Sequence, residues 1–125
     1  MTLLTSMKIH GKFIMYTKIS ITGTKIWCLD PELRILHRED GPAVEYSNGD
    51  KFWYINGNLH REDGPAIEYK DGYKSWCING KLHREDGPAI ELFSGLKTYY
   101  FNDKHYLEIE TDREWIKFLK LKNFW

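Results

Sequence analysis

The chain has no charge of one sign to spare: 18 Lys and Arg balance 18 Asp and Glu over 125 residues. That balance removes the basic footprint of a general nucleic-acid binder, leaving only a lysine-rich C-terminal stretch as a local positive patch. Long apolar runs are missing too. No stretch approaches the roughly 18 apolar residues needed to span a bilayer. Thr2 to Met15 is interrupted by Lys8, His10 and Lys12 before any secretory core develops. Cysteine is scarce, with only Cys28 and Cys77 present. What the chain does have is 42% hydrophobic and 15% aromatic residues. This content argues against disorder and for one modest core in a single domain over residues 1–125.

The octapeptide Leu-His-Arg-Glu-Asp-Gly-Pro-Ala occurs at Leu36 to Ala43, Leu59 to Ala66 and Leu82 to Ala89, each copy starting 23 residues after the last. Self-similarity at a fixed short period means that one supersecondary unit is stacked on itself. The likeness extends outwards, since Pro42 to Asn58 is answered by Pro65 to Lys81 and then by Pro88 to Lys104. A weaker, earlier copy covers Ile19 to Leu29. Its offset of three extra residues falls in Asp30 to Ile35, a Pro-containing loop where insertion costs little.

Each unit reads as a β-hairpin followed by a loop. Asn48-Gly49 and Asp71-Gly72 accept positive φ in a tight turn, and Ser94-Gly95 is a weaker version. A two-residue turn at Asn48-Gly49 pairs Tyr46 with Lys51, Val44 with Trp53 and Pro42 with Ile55 on one face. Ile67, Tyr69, Trp76 and Ile78 join that face from the next unit, and Ile90, Leu92, Tyr99 and Phe101 from the one after. This is the expected core face. The opposite face then carries Ala43, Glu45, Ser47, Asp50, Phe52 and Tyr54, with Ala66, Glu68, Lys70, Tyr73, Ser75 and Cys77. Asn56-Gly57 and Asn79-Gly80 end the second strand. Asp40-Gly41-Pro42 restarts the next one with a Gly tolerant of unusual dihedrals and a Pro where no ladder donor is lost.

The expected fold is therefore mainly β, an antiparallel β-hairpin repeat meander in a single twisted or curved sheet of about eight or nine strands, with one C-terminal capping α-helix. Residues 1–18 form an N-terminal cap with His10-Gly11 in place of Asn-Gly, 19–104 the repeats, and 105–125 the helical cap. Thr111-Asp112-Arg113-Glu114 has the form of a capping box, and its acids suit the positive end of a helix dipole. Trp115, Ile116, Phe118, Leu119 and Leu121 follow as an apolar stripe interrupted by Lys117, Lys120 and Lys122. A short helix from Thr111 to Lys122 must bury that stripe, and the last hairpin is the nearest surface. Phe124 and Trp125 are expected in the same cluster.

Cys28 follows Trp27 and Cys77 follows Trp76, so the two share one column of the sheet, two units apart. About four strand spacings, or about 19 Å, separate them, against a disulfide reach of about 7 Å. They are expected as free thiols that share no metal, which suits a reducing, cytoplasmic compartment.

The period of 23, the hairpin per unit, and the order Trp76, Asn79, Gly80, Lys81, His83, Gly87, then Phe93 and Gly95 resemble a diverged form of the MORN repeat (membrane occupation and recognition nexus) over roughly Ile19 to Lys104. Repeats with this loop resemble those of proteins from large DNA viruses, phages and some bacteria. The resemblance implies an elongated, twisted antiparallel sheet used as a binding platform, in host cytoplasm or a virion if viral. Some members of the family associate with membranes or phosphoinositides. This chain departs from the pattern by placing Arg-Glu-Asp where a Gly-rich step usually follows the His, so a membrane partner is not expected.

Chemistry concentrates in the loops. His37, His60 and His83 form one ladder beside Arg38, Arg61 and Arg84, each followed by a Glu-Asp pair. Units stand about 9.6 Å apart, two strand spacings, so successive histidines cannot share a metal. Three near-identical copies fit a structural demand met once per repeat, with Asp capping the turn and Arg pairing with an acid one unit away. They do not resemble a catalytic site, which needs one special constellation. No catalytic residue, metal or cofactor is expected. The column Trp27, Trp53, Trp76 and Tyr99 is read as core. Phe52, Tyr54, Tyr73 and Tyr100 on the other face, with Glu45, Glu68 and Glu91, suit a protein interface. Lys25, Lys51, Lys74 and Lys97 recur beside the column and are expected to snorkel along the sheet rim. The resulting reading is a non-catalytic platform for another protein or for self-association. The alternative is a small anionic ligand, a nucleotide or phosphoinositide, held by the Arg and His loops. Nucleic acid is not expected as a partner.

Overall fold

Turn length sets the frame of this fold. In the structure, a computed structural model described for residues 2–10 and 13–122, Gly49 takes φ +104° and donates its N–H to Tyr46 O at 3.0 Å, while Tyr46 N–H donates to Asp50 O at 2.9 Å. The turn thus spans Ser47, Asn48 and Gly49, three residues rather than two, with the positive φ at its last position. Gly72 and Gly95 close their turns in the same way onto Tyr69 and Leu92. Val44 consequently faces Phe52, and Glu45 faces Lys51. This is one residue off the expected register. Because side chains alternate with period 2, the slip moves the whole second strand to the other face.

The strands are β1 (Thr2–His10), β2 (Phe13–Ser20), β3 (Lys25–Cys28), β4 (Val44–Glu45), β5 (Lys51–Phe52), β6 (Tyr54–Ile55), β7 (Asn58–Leu59), β8 (Ile67–Glu68), β9 (Lys74–Ser75), β10 (Cys77–Ile78), β11 (Lys81–Leu82), β12 (Ile90–Glu91), β13 (Lys97–Thr98), β14 (Tyr100–Phe101) and β15 (Lys104–His105). Nine of them form one open antiparallel sheet in the order β1-β2-β3-β4-β5-β8-β9-β12-β13. The remaining six make three short ribbons, β6-β7, β10-β11 and β14-β15. Each repeat therefore contributes a hairpin to the sheet and a ribbon beside it. The expected meander is present, with β1 and β2 extending it as a long antiparallel pair; Gly11 of the expected His10-Gly11 turn lies outside the described residues.

The ribbons carry the mirror-image two-residue turns that were expected in the sheet. Asn56 and Gly57 have φ of 50° and 80°, Asn79 and Gly80 51° and 79°, and Asn102 and Asp103 48° and 70°. Positive φ at both central residues is the geometry that matches the twist of a tight hairpin. Each turn leans on the unit before it: Gly57 N–H donates to Leu36 O, Gly80 N–H to Leu59 O, and Asp103 N–H to Leu82 O, at 2.8, 2.8 and 2.9 Å.

Burial follows the corrected register. Many of the fully buried positions inside the repeats are small: Cys28, Ala43, Ala66 and Ala89, with Ser75 and Cys77 scarcely more open, beside the larger His37, Pro88 and Tyr99. These come mostly from the face expected outside. Tyr46, Tyr69 and Leu92, expected in the core, are exposed, Tyr46 by 47%. Small side chains permit the close backbone approach that packs the repeat. The lysine ladder is also explained, because Lys25, Glu45, Lys51, Glu68, Lys74, Glu91 and Lys97 are consecutive cross-strand partners across the sheet. Each Glu is flanked by two Lys, which stabilises neighbouring strands in place of the expected snorkelling along a rim.

Large apolar side chains gather at the C-terminal end instead. Helix α1 (Asp112–Leu121) is capped by Thr111, whose hydroxyl accepts Glu114 N–H at 3.2 Å, while the Glu114 carboxylate accepts Glu110 N–H at 3.1 Å. Trp115 and Leu119 are fully buried with Tyr99 and Tyr106, and Phe101, Ile109 and Phe118 close the cluster. The stripe is narrower than expected, since Leu121 is 72% exposed. Phe124 and Trp125 lie outside the described residues.

Candidate functional site: the grooves between the repeated loops

The His-Arg-Glu-Asp-Gly-Pro loops link each ribbon to the next sheet strand, and every residue in them has an assigned mechanical task. Nδ1 of His37 accepts Asn56 N–H at 2.9 Å, His60 accepts Asn79 N–H at 3.0 Å and His83 accepts Asn102 N–H at 3.2 Å. An Nδ1 that accepts carries no proton, so Nε2 carries it; that atom faces Glu39, Glu62 and Glu85 at 3.5, 3.6 and 3.8 Å. Each histidine thus ties one loop to the ribbon turn of the following unit. The role was missed from sequence, although a fixed separation of 19 residues between His and Asn in all three copies was its signal.

The arginines are held from several sides. The Arg38, Arg61 and Arg84 guanidiniums lie over the Trp27, Trp53 and Trp76 rings at 3.9, 4.0 and 3.9 Å from the centroids. Nε donates to Asp40, Asp63 and Asp86 at 2.9, 3.1 and 2.9 Å. Nη1 donates to the Pro42, Pro65 and Pro88 carbonyls, and in two units also to Glu68 and Glu91. The acids are therefore in the same loop and the strand directly after it, not one unit away, and the Asp serves the Arg where a turn cap was expected. Solvated pairs of this kind contribute about 0 to 1 kcal/mol. The stack on the indole adds about 0.5 to 2 kcal/mol.

The loop glycines answer to the same guanidinium. A Cβ on Gly41, Gly64 or Gly87 would stand 2.9, 2.8 and 2.9 Å from the Arg Cζ of its loop. None of the three has positive φ. They are glycine because the arginine lies against the backbone, and not for the dihedral freedom expected of them. Trp27, Trp53 and Trp76 are consequently half-buried, each with one face covered by its arginine; only Tyr99 of the column is fully buried.

Successive loops enclose open grooves. One has Trp53 and Ile55 on its floor, between the loops from Arg38 to Pro42 and from His60 to Asp63, with a volume of about 700 Å³. The next repeats it around Trp76 and Ile78, between Arg61 to Pro65 and His83 to Asp86, again about 700 Å³. A smaller groove of about 300 Å³ lies at the N-terminal end, beside Met15, Trp27 and His37. All six candidate loop residues, His37, Arg38, His60, Arg61, His83 and Arg84, line these grooves. The positive charge of the three arginines is already matched. The carboxylates point out to solvent, Glu62 by 84% and Asp63 by 88%, so the rims are acidic.

At the C-terminal end the next place in this series is filled by the chain itself. Tyr99 and Phe101 stand where Trp76 and Ile78 stand one unit earlier, and Tyr106 stands where His83 does. Trp115 of α1 packs on Tyr99 and Tyr106 at 5.6 and 5.4 Å between ring centroids, and its indole N–H donates to Arg84 O at 2.8 Å. Tyr99 O–H donates to Asp112 at 2.7 Å. Burial first, and then the bond to Asp112, push the Tyr99 hydroxyl far above the ordinary range.

The candidate interface residues are not gathered into one exposed patch. Phe52 and Tyr73 belong to the sheet hairpins, where Phe52 meets Tyr46 and Tyr69 edge-on at 5.6 and 5.8 Å and Tyr73 meets Tyr69 at 5.0 Å. Tyr54 and Tyr100 sit in the ribbons; burial pushes the Tyr54 hydroxyl up, and Tyr100 stacks on His105 at 4.6 Å. All four are half-buried. Cys28 and Cys77 are free and buried, and desolvation raises the pKa of each thiol. Among the described residues, no group of three or more His, Cys, Asp or Glu could hold a metal ion, and no helix is long and apolar enough to cross a membrane. No protein-family model, curated protein or solved structure matches the chain.

Proposed function

We propose that this chain is a non-catalytic interaction platform, a MORN-like repeat protein whose groove face receives another protein. The observation that carries the reading is the state of the arginines. Each guanidinium is stacked on its own indole and bonded to carboxylates of its own unit, while the remaining acids line the rims. A nucleotide or phosphoinositide would have to compete with those carboxylates and cross an acidic rim. A protein partner needs neither, and the apolar floors with polar rims match the anatomy of a protein interface. The viral, phage or bacterial intracellular setting is part of the proposal and rests on the repeat's resemblance alone.

A photo-crosslinking residue placed at Glu62 or Glu85 tests the reading in host lysate. A platform yields one discrete protein adduct, the same from both positions. Native mass spectrometry supplies the opposing result: a retained anionic ligand that disappears in Arg61→Ala would replace the platform with the ligand-binding alternative.

A further inference from the structure

The C-terminal helix shows what chemistry this face accepts. In the two open grooves the residue eight places after the floor Trp is Arg (Arg61 after Trp53, Arg84 after Trp76), whose guanidinium covers the indole; eight places after Tyr99 the residue is Leu107, which is exposed. The Tyr99 ring is covered by Trp115 instead, delivered by an amphipathic helix. That helix brings an indole N–H to a loop carbonyl and places Phe118 and Leu119 beside it. Its exposed side bears Arg113, Lys117, Lys120 and Lys122. Arg38 and Arg61 stand on the walls of the two open grooves at the place that Arg84 takes in the filled one.

We infer that the two open grooves, lined by Trp53-Ile55 and Trp76-Ile78, are docking sites for a basic amphipathic helix of a partner protein that carries a tryptophan, whose indole N–H reaches the Arg38 or Arg61 carbonyl as Trp115 reaches Arg84 O, with its ring beside the guanidinium that covers Trp53 or Trp76. The inference rests on the platform reading and names the class of partner. Charge agrees with it, because each loop presents two carboxylates to one already paired guanidinium, and a helix with cations on its outer side meets those rims favourably. The anchor is the kind expected at the centre of an interface, a large aromatic with one polar hydrogen entering a pocket.

A fluorescently labelled peptide with the sequence Thr111 to Lys122, titrated against the full chain and followed by anisotropy, tests this. Saturable binding is expected, falling at least about tenfold when the peptide carries Trp115→Ala. Glu62→Lys and Glu85→Lys in the chain, both at solvent-facing side chains and with an unchanged urea midpoint as the control for the fold, should weaken binding and its salt dependence together. A photo-reactive group at the peptide's Ile116 position should attach to the Arg38 to Pro42, His60 to Asp63 or His83 to Asp86 segments. Attachment only around Tyr99 and Tyr106 would mean exchange with the resident helix and would overturn the inference. So would absence of binding at about 1 mM peptide, an affinity too weak for docking. The platform reading fails separately, if crosslinkers at Glu62 and Glu85 capture no protein.

Discussion

Gly64→Ala is the substitution whose consequence the structure specifies most closely. The added methyl would stand 2.8 Å from Arg61 Cζ, 3.0 Å from Nε and 3.1 Å from Nη1. Gly64 has no positive φ, so the backbone itself accepts alanine, and loss of unfolded-state freedom alone would stabilise by about 0.4 to 1 kcal/mol. The guanidinium must therefore move. Moving it forfeits the stack on Trp53 at 4.0 Å, worth about 0.5 to 2 kcal/mol. It also forfeits the bond to Pro65 O at 3.1 Å, a charged hydrogen bond in the class of about 1.5 to 3 kcal/mol. The Asp63 and Glu68 pairs add about 0 to 1 kcal/mol each, discounted for solvent. Offsetting the backbone gain and partial rearrangement, the net loss is about 1 to 3 kcal/mol. Urea unfolding followed by tryptophan fluorescence measures it, as a lower midpoint at unchanged slope. The decisive control is a double-mutant cycle with Arg61→Ala, on whose background Gly64→Ala should cost nothing, since all three nearest atoms to the added Cβ belong to Arg61. Additive losses would show that the glycine answers to something other than the guanidinium.

Removing the His60 imidazole by His60→Ala leaves the exposed Asn79 N–H to water, with an expected loss of about 0.5 to 1.5 kcal/mol and faster hydrogen exchange at that amide; unchanged exchange would contradict the inter-repeat tie. Tyr99 titrates above its unfolded value of 10.0, so the folded state binds the proton more tightly: its contribution is complete below that pH and lost as pH rises through the folded value. Alkaline unfolding curves should accordingly show Tyr99→Phe less pH-sensitive than the parent above pH 10.0. Trp115→Ala should cost about 3 to 5 kcal/mol and release α1 to proteolysis, whereas Leu121→Glu, on the exposed side, should change the unfolding midpoint little. Buried Cys28 and Cys77, with thiol pKa values raised by desolvation, should react with iodoacetamide only as fast as the chain opens; rapid modification in native buffer would place them at the surface.

The six loop residues were found from sequence because they repeat, yet their task was read only in outline. Sequence offered the Arg-acid pairing but named the wrong acid, and for His it offered a place in a ligand-holding ladder but no structural task. Trp53 looked like core because an indole on an alternating strand usually is; nothing local says that Arg61 will lie over its ring and leave its edge on a groove floor. Phe52, Tyr54, Tyr73 and Tyr100 were grouped by a register that the turn did not adopt. One turn residue separates the two readings, and that residue reverses the face of every side chain on the returning strand.

Sequence by itself determined the period, the hairpin in each unit, the antiparallel meander, the free cysteines and the capped C-terminal helix. These follow from local chemistry that a short window contains: glycines able to take positive φ, alternation of side chains, and Thr111 three residues before Glu114. Only the tertiary structure decided that each repeat folds into a sheet hairpin plus a ribbon, that the alanines are fully buried, and that Gly41, Gly64 and Gly87 exist for an arginine. The reason is physical. Those features depend on the meeting of groups from different units, such as His60 with Asn79 and Arg84 O with Trp115, and no propensity of one residue encodes which neighbour stacking will bring to it.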